Sequence, residues 1–157
     1  MTAPGFDQYG FNVHARGPRP QVKTGAGLLM AGAVLHIVAV FLPWYEGAGI
    51  TLRGMDDYIT DKGDSLPAPG KVWIIVGAIL LGLGIASYFL GRQIAVAIVS
   101  VVIAGGGVFT SLLGVGAAKA TRDRLGDGDA ALGAYVGIIS ILIALAGAIQ
   151  ILAKRRR

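Results

Sequence analysis

The chain has 157 residues, 54% of them hydrophobic and 15% charged, with a mean hydropathy of +0.67. It is too apolar for a water-soluble globule and too short for more than one sizeable domain. Cys is absent, which excludes disulfides, a thiol nucleophile, and thiolate ligation of zinc or an iron–sulfur cluster; 14 basic and 9 acidic residues leave a net charge of +5.

Residues 1–23 form a polar arm with no apolar period, and Pro4, Pro18 and Pro20 oppose a helix. This arm is expected to be a flexible cytoplasmic tail, with Phe6, Tyr9 and Phe11 as isolated aromatics within it. Four runs free of Lys, Arg, Asp and Glu follow, at residues 24–42, 72–90, 94–118 and 130–153. A spanning helix needs about 20 apolar residues, and runs of this length predict membrane helices rather than barrel strands. The fold expected is all-α, an integral membrane four-helix bundle over residues 24–153, with outer loops at 43–71 and 119–129 and a basic tail at 154–157.

Lys and Arg counts set the orientation. The N-terminal tail, the link at 91–93 and the C-terminal tail together hold eight, against six in the first and third loops. The excess places both termini in the cytoplasm of a plasma-membrane protein that crosses up-down-up-down, with a long first outer loop. Trp44 and Trp73 flank that loop, where indoles are expected to mark the membrane interface. Lys154, Arg155, Arg156 and Arg157 follow the last helix and are expected to reach lipid phosphates.

The first loop carries Gly49-Ile50-Thr51-Leu52-Arg53-Gly54, which alternates like a short strand. Asp56, Asp57, Asp61 and Asp64 come next and are candidate metal ligands, but they lack EF-hand spacing, so a solvated acidic loop with no metal is expected. In the third loop Asp129 is expected to cap the fourth helix, where a carboxylate suits the dipole.

Leu against Leu gives little net drive in lipid, whereas small residues let backbones approach. In the third helix Ala97, Ser100, Ala104, Gly107, Ser111, Gly114 and Ala118 recur in steps of three and four. Gly133, Gly137, Ser140, Ala144 and Gly147 do so in the fourth. The first helix offers Gly25, Gly32 and Ala39. The second has two small faces, one with Ala78, Gly82 and Ala86, the other with Gly77, Gly84, Ser87 and Gly91, and is expected to touch two neighbours through them. The tight link Gly91-Arg92-Gln93 makes the second and third helices antiparallel neighbours.

No P-loop, His-Glu-x-x-His or Gly-x-Ser-x-Gly occurs, and the basic residues flank apolar runs without a nucleic-acid motif. His36 is the one intramembrane residue that titrates near neutrality, and it shares a face with Gly25, Gly32 and Ala39. It reads first as a neutral imidazole bonded to a Ser, Thr or carbonyl of a neighbouring helix. A haem or quinone contact, or proton handling, are the alternatives for it, and Thr110 and Gln150 are further polar candidates.

Phe41-Leu42-Pro43-Trp44, a Gly-rich outer loop, Pro69-Gly70-Lys71 and Gly91-Arg92 together resemble small four-helix membrane proteins of actinobacteria that carry a Leu-Pro-Trp after the first helix. The resemblance spans roughly residues 25–150, implies a plasma-membrane location and transfers no catalytic residue. Claudin-like proteins share only the topology, since their first loop has paired cysteines. From sequence, then, we expect a non-enzymatic accessory or structural subunit without a cofactor. Its expected partners are the bilayer and another membrane protein or a second copy, with no nucleic acid. A subunit of a transport or channel assembly, lined by Ser100, Thr110, Ser111 and Ser140, is the first alternative, and an electron-transfer anchor using His36 the second.

Overall fold

A computed structural model describes residues 22–59, 65–66, 68–90 and 94–154. They form four helices, α1 (Lys23–Ala39), α2 (Gly70–Leu90), α3 (Ile94–Leu125) and α4 (Leu132–Ala153). Short strands lie between them: β1 (Pro43–Gly47), β2 (Ile50–Arg53), β3 (Tyr58–Ile59), β4 (Ser65–Leu66) and β5 (Asp129–Ala130). Helices α2, α3 and α4 are long and apolar enough to cross a membrane, whereas α1, at 17 residues, is shorter. The chain packs as a ring in which α1 meets α2, α2 meets α3, α3 meets α4, and α4 closes back on α1.

The first apolar run stops being helix before its sequence limit at residue 42. Pro43 has no N–H to donate and disfavours helix at Leu42. The last turn tightens instead, with i→i−3 bonds from Val40, Phe41 and Leu42 to Ile37, Val38 and Ala39. Helix α3 errs the other way: it runs past residue 118 through Lys119 and Arg122, to roughly 48 Å at 1.5 Å per residue. Much of the expected third loop is therefore helix.

Strand β2 coincides with the alternating segment of the first loop, and it pairs antiparallel with β1, a strand not anticipated. Ala48 and Gly49, with φ of 51° and 75°, make the two-residue turn between them. β1 also pairs with β5, so the sheet order β2-β1-β5 ties the first and third loops together at one end of the bundle. The Tyr45 hydroxyl donates to Asp127 O (2.5 Å), and Ala131 N donates to Trp44 O (2.8 Å). Gly54 N reaches Val40 O and Gly70 N reaches Gly54 O (2.8 Å), which ties the middle and the far end of the long loop to the tip of α1.

Asp129 does not cap α4. The N-cap is Ala131, with no side-chain bond, because Asp129 lies in β5 and its carboxylate accepts from Ala130 N and Arg122. That Arg122–Asp129 pair is exposed, so it adds at most about 1 kcal/mol.

Candidate functional site

The buried stripe of α1 is Gly25, Ala26, Leu29, Gly32, Ala33, His36 and Ala39, one face of a helix at steps of three and four. His36 is therefore carried inward by the same periodicity that buries the glycines. Across from it, α4 presents Gly133, Gly137, Ser140, Ala144 and Gly147, all buried. Ala97, Ser100, Ala104, Gly107, Ser111, Gly114 and Ala118 of α3 are buried as well.

The close contacts differ along the bundle. A Cβ on Gly32 would lie 2.5 Å from Ala144 N and 2.6 Å from Ser140 O, and one on Gly147 would lie 2.5 Å from Leu29 N. Backbone meets backbone there. A Cβ on Gly114, Gly133 or Gly137 would instead enter the rings of Trp44 or Trp73. Gly82 departs from this pattern: it is exposed and its Cβ would meet nothing within 4 Å. The second helix thus buries one small face, with Gly77, Gly84 and Ser87, and turns the Ala78–Gly82 face outward, which corrects the expectation of two packed faces.

The tryptophans are corrected too. Trp44 is 0% and Trp73 1% exposed, so neither faces the exterior. Trp44 arrives from β1, folded back under the sheet, and its Nε1 donates to Ala39 O (2.9 Å). Trp73 arrives from the first turn of α2 and its Nε1 points to Thr110 O (3.3 Å). The two rings tilt against each other with centroids 4.1 Å apart. Glycine sockets on α3 and α4 explain why both rings fit inside.

His36 completes this cluster. Its ring stacks on Trp73 at 4.6 Å and 15°. Its Nδ1 lies 3.1 Å from Ser140 Oγ and 3.3 Å from Gly137 O. Ser140 has one hydroxyl hydrogen and gives it to Gly137 O at 2.7 Å. Nδ1 is then the protonated nitrogen and donates to Ser140 Oγ. That tautomer leaves Nε2 as a bare lone pair, buried and without a partner. An orphaned lone pair is the cheaper of the two possible orphans, since buried unpaired N–H groups are rarer than under-used acceptors. The His36 bonds join α1 to α4 with about 0.5–1.5 kcal/mol each, the net range for a hydrogen bond in a protein.

The other hydroxyls turn back on their own helices. Ser100 donates to Val96 O, and Thr110 and Ser111 both to Gly107 O. Gln150 keeps a buried Oε1 without a partner. In the first loop, Asp56 accepts from Arg53 N (2.6 Å) and Asp57 from Ala68 N (2.9 Å), so both carboxylates hold backbone. Asp61 and Asp64 lie outside the described residues, as do Arg155, Arg156, Arg157 and the aromatic residues of the N-terminal arm. Among the described residues no group of three or more metal-ligating side chains comes together. Lys154 is exposed at the end of α4.

The sequence reading missed the aromatic cluster. Its signal was there in the coincidence of two Trp, on either side of one loop, with the glycines of α3 and α4.

The chain is similar over residues 19–157 to the family described as the MiaB C-terminal domain. No curated protein and no solved structure matches it. The family match overturns the expected non-enzymatic accessory or structural subunit, together with the transport-subunit and electron-transfer-anchor alternatives, because MiaB belongs to the radical SAM methylthiotransferases that modify tRNA. An absence of catalytic motifs does not argue against kinship with an enzyme, because a domain of an enzyme family need not contain the reacting groups. Since the match covers residues 19–157 of 157, the chain belongs to the MiaB C-terminal domain family.

Proposed function

We propose that this chain is a membrane-integral domain of a tRNA-modifying enzyme of the MiaB lineage. All four helices cross, up-down-up-down, with both termini in the cytoplasm and the β2-β1-β5 sheet on the outer side. The observation that supports this most is the inverted polarity of the bundle. Phe89 (79% exposed), Val102 (65%), Phe109 (64%) and Ile75 (60%) face outward, while His36, Ser87, Ser100, Ser111 and Ser140 are buried. Water would penalise such an exterior, whereas hydrocarbon accepts it. At 17 residues α1 is short for the hydrocarbon core, and the tightened turn to Leu42 lengthens its apolar reach.

Radical SAM chemistry uses an iron–sulfur cluster held by thiolates. This sequence has no Cys, and the buried imidazole of His36 is no substitute for a thiolate set, so the residues present do not fit the cluster. The cluster is then held outside these 157 residues, and this domain works with the part that holds it from the cytoplasmic side.

The natural absence of Cys makes the test direct. Single Cys residues at Thr51 and at Lys154 are probed with a membrane-impermeant maleimide in intact cells. Thr51→Cys is expected to label and Lys154→Cys only after permeabilisation, and the protein is expected to stay in the pellet after alkaline carbonate extraction. Depleting the protein should lower methylthiolated nucleosides in tRNA, measured by mass spectrometry. Release by carbonate, or unchanged nucleosides, would overturn the corresponding half of the reading.

A further inference from the structure

We infer that the end of the bundle away from the sheet binds the phosphate headgroups of anionic phospholipids; this rests on the membrane reading above. The described acids are segregated, whereas Arg53, Lys71, Lys119 and Arg122 place bases at the sheet end as well. Glu46, Asp56, Asp57, Asp123, Asp127 and Asp129 all lie in or beside the strands and the far end of α3. At the opposite end stand Lys23 and Lys154, both exposed, and no Asp or Glu is present there among the described residues. Those two lysines are brought to one end by the packing of α1 on α4, where Gly25 fits against Gly147 and Ile151. Lys23 Nζ also sits 5.5 Å from the centre of the Tyr88 ring on α2, which holds an amphipathic ring beside the cation.

Helix dipoles do not cancel these charges or create them. Two helices begin at this end and two finish there, so their partial charges offset one another. The field is left to side chains, and the first turns of α1 and α3 carry no acid to blunt it. Flexible lysine stems lie along apolar surface and lift their ammonium groups to headgroup level. An anionic leaflet is the occupant with complementary charge, at roughly fivefold in headgroup affinity for each lysine.

The full chain is placed in nanodiscs of phosphatidylglycerol or of phosphatidylcholine, and thermal unfolding is followed through the buried tryptophans. A higher Tm in phosphatidylglycerol is expected, shrinking with salt. The difference should fall in Lys23→Gln/Lys154→Gln and persist in Lys119→Gln/Arg122→Gln at the sheet end. Equal Tm in both lipids, or equal loss in both double variants, overturns the inference. Inorganic phosphate giving the same gain in detergent would overturn the lipid assignment in favour of a free anion. A chain that never enters nanodiscs and stays in the aqueous phase removes the membrane reading itself, whereas one that inserts and ignores the headgroup removes this inference alone.

Discussion

Near the sheet, glycines on α3 and α4 are sockets for indole rings; toward the other end, Gly25, Gly32 and Gly147 bring the backbones of α1 and α4 together. The first region is a cluster of Ala39, Val40, Trp44, Trp73 and Ala134, with His36 stacked on its edge. The second is a cluster of Ala26, Leu29, Ala33, Leu80, Ala144, Ala148 and others, with almost no ring in it. The same small residues therefore do two jobs. A socket is only as good as the ring that fills it, while a backbone contact depends on nothing larger than Cα and carbonyl atoms.

That difference is broken most severely at Trp73. Its ring touches Trp44, His36, Gly114 and Gly137, and no water reaches the space it fills. Trp73→Ala should lower stability by about 3–5 kcal/mol, the range for deleting a large buried aromatic. Denaturation in mild detergent is the measurement. Adding Gly137→Leu, disruptive alone, should recover part of the loss by filling the vacated socket. Additive losses in the double variant would mean that ring and socket are energetically independent.

The backbone contacts are probed by a smaller change. Gly32→Ala sets a methyl 2.5 Å from Ala144 N, and main chain cannot move aside without parting the helices. Gly107→Ala meets Ile141 Cδ1 at 2.6 Å, the far end of a flexible side chain. We expect a cost of about 1–3 kcal/mol at Gly32 and well under half of that at Gly107. Equal costs, read from the same unfolding transitions, would erase the distinction between the two kinds of contact.

How much of this could be read from the chain follows from which forces are periodic. The four helical runs are visible as long apolar stretches free of Lys, Arg, Asp and Glu, and the α3 stripe from Ala97 to Ala118 is visible because steps of three and four put small residues on one line. β2 shows in the alternation of Ile50 to Arg53. The pairing of β1 with β5, eighty-odd residues apart, has no local signature. Nor does the inward turn of Trp44, which depends on Pro43 stopping α1 and on Ala39 O being left to accept from the indole. His36 was visible as an inward-facing residue, but not its stacking on Trp73, since a ring contact between α1 and α2 depends on helix rotation. Enzyme kinship was invisible, because it is carried by similarity along the chain and not by a reacting group.

The smallest effect, and one of opposite sign, is expected at Gly82. It sits in mid-helix on the face of α2 that no other helix covers, with open space where a Cβ would go. Glycine there costs helix stability without allowing any contact within this chain. Gly82→Ala should therefore stabilise the isolated protein by a few tenths of a kcal/mol to about 1 kcal/mol, the gain in helix propensity. This makes it the control for Gly32→Ala, since the chemical change is identical and only the surroundings differ. A loss of stability at Gly82, growing with protein concentration, would reveal that the exposed small face is covered by a second copy, and the contrast between buried and open glycines would then hold only within one chain.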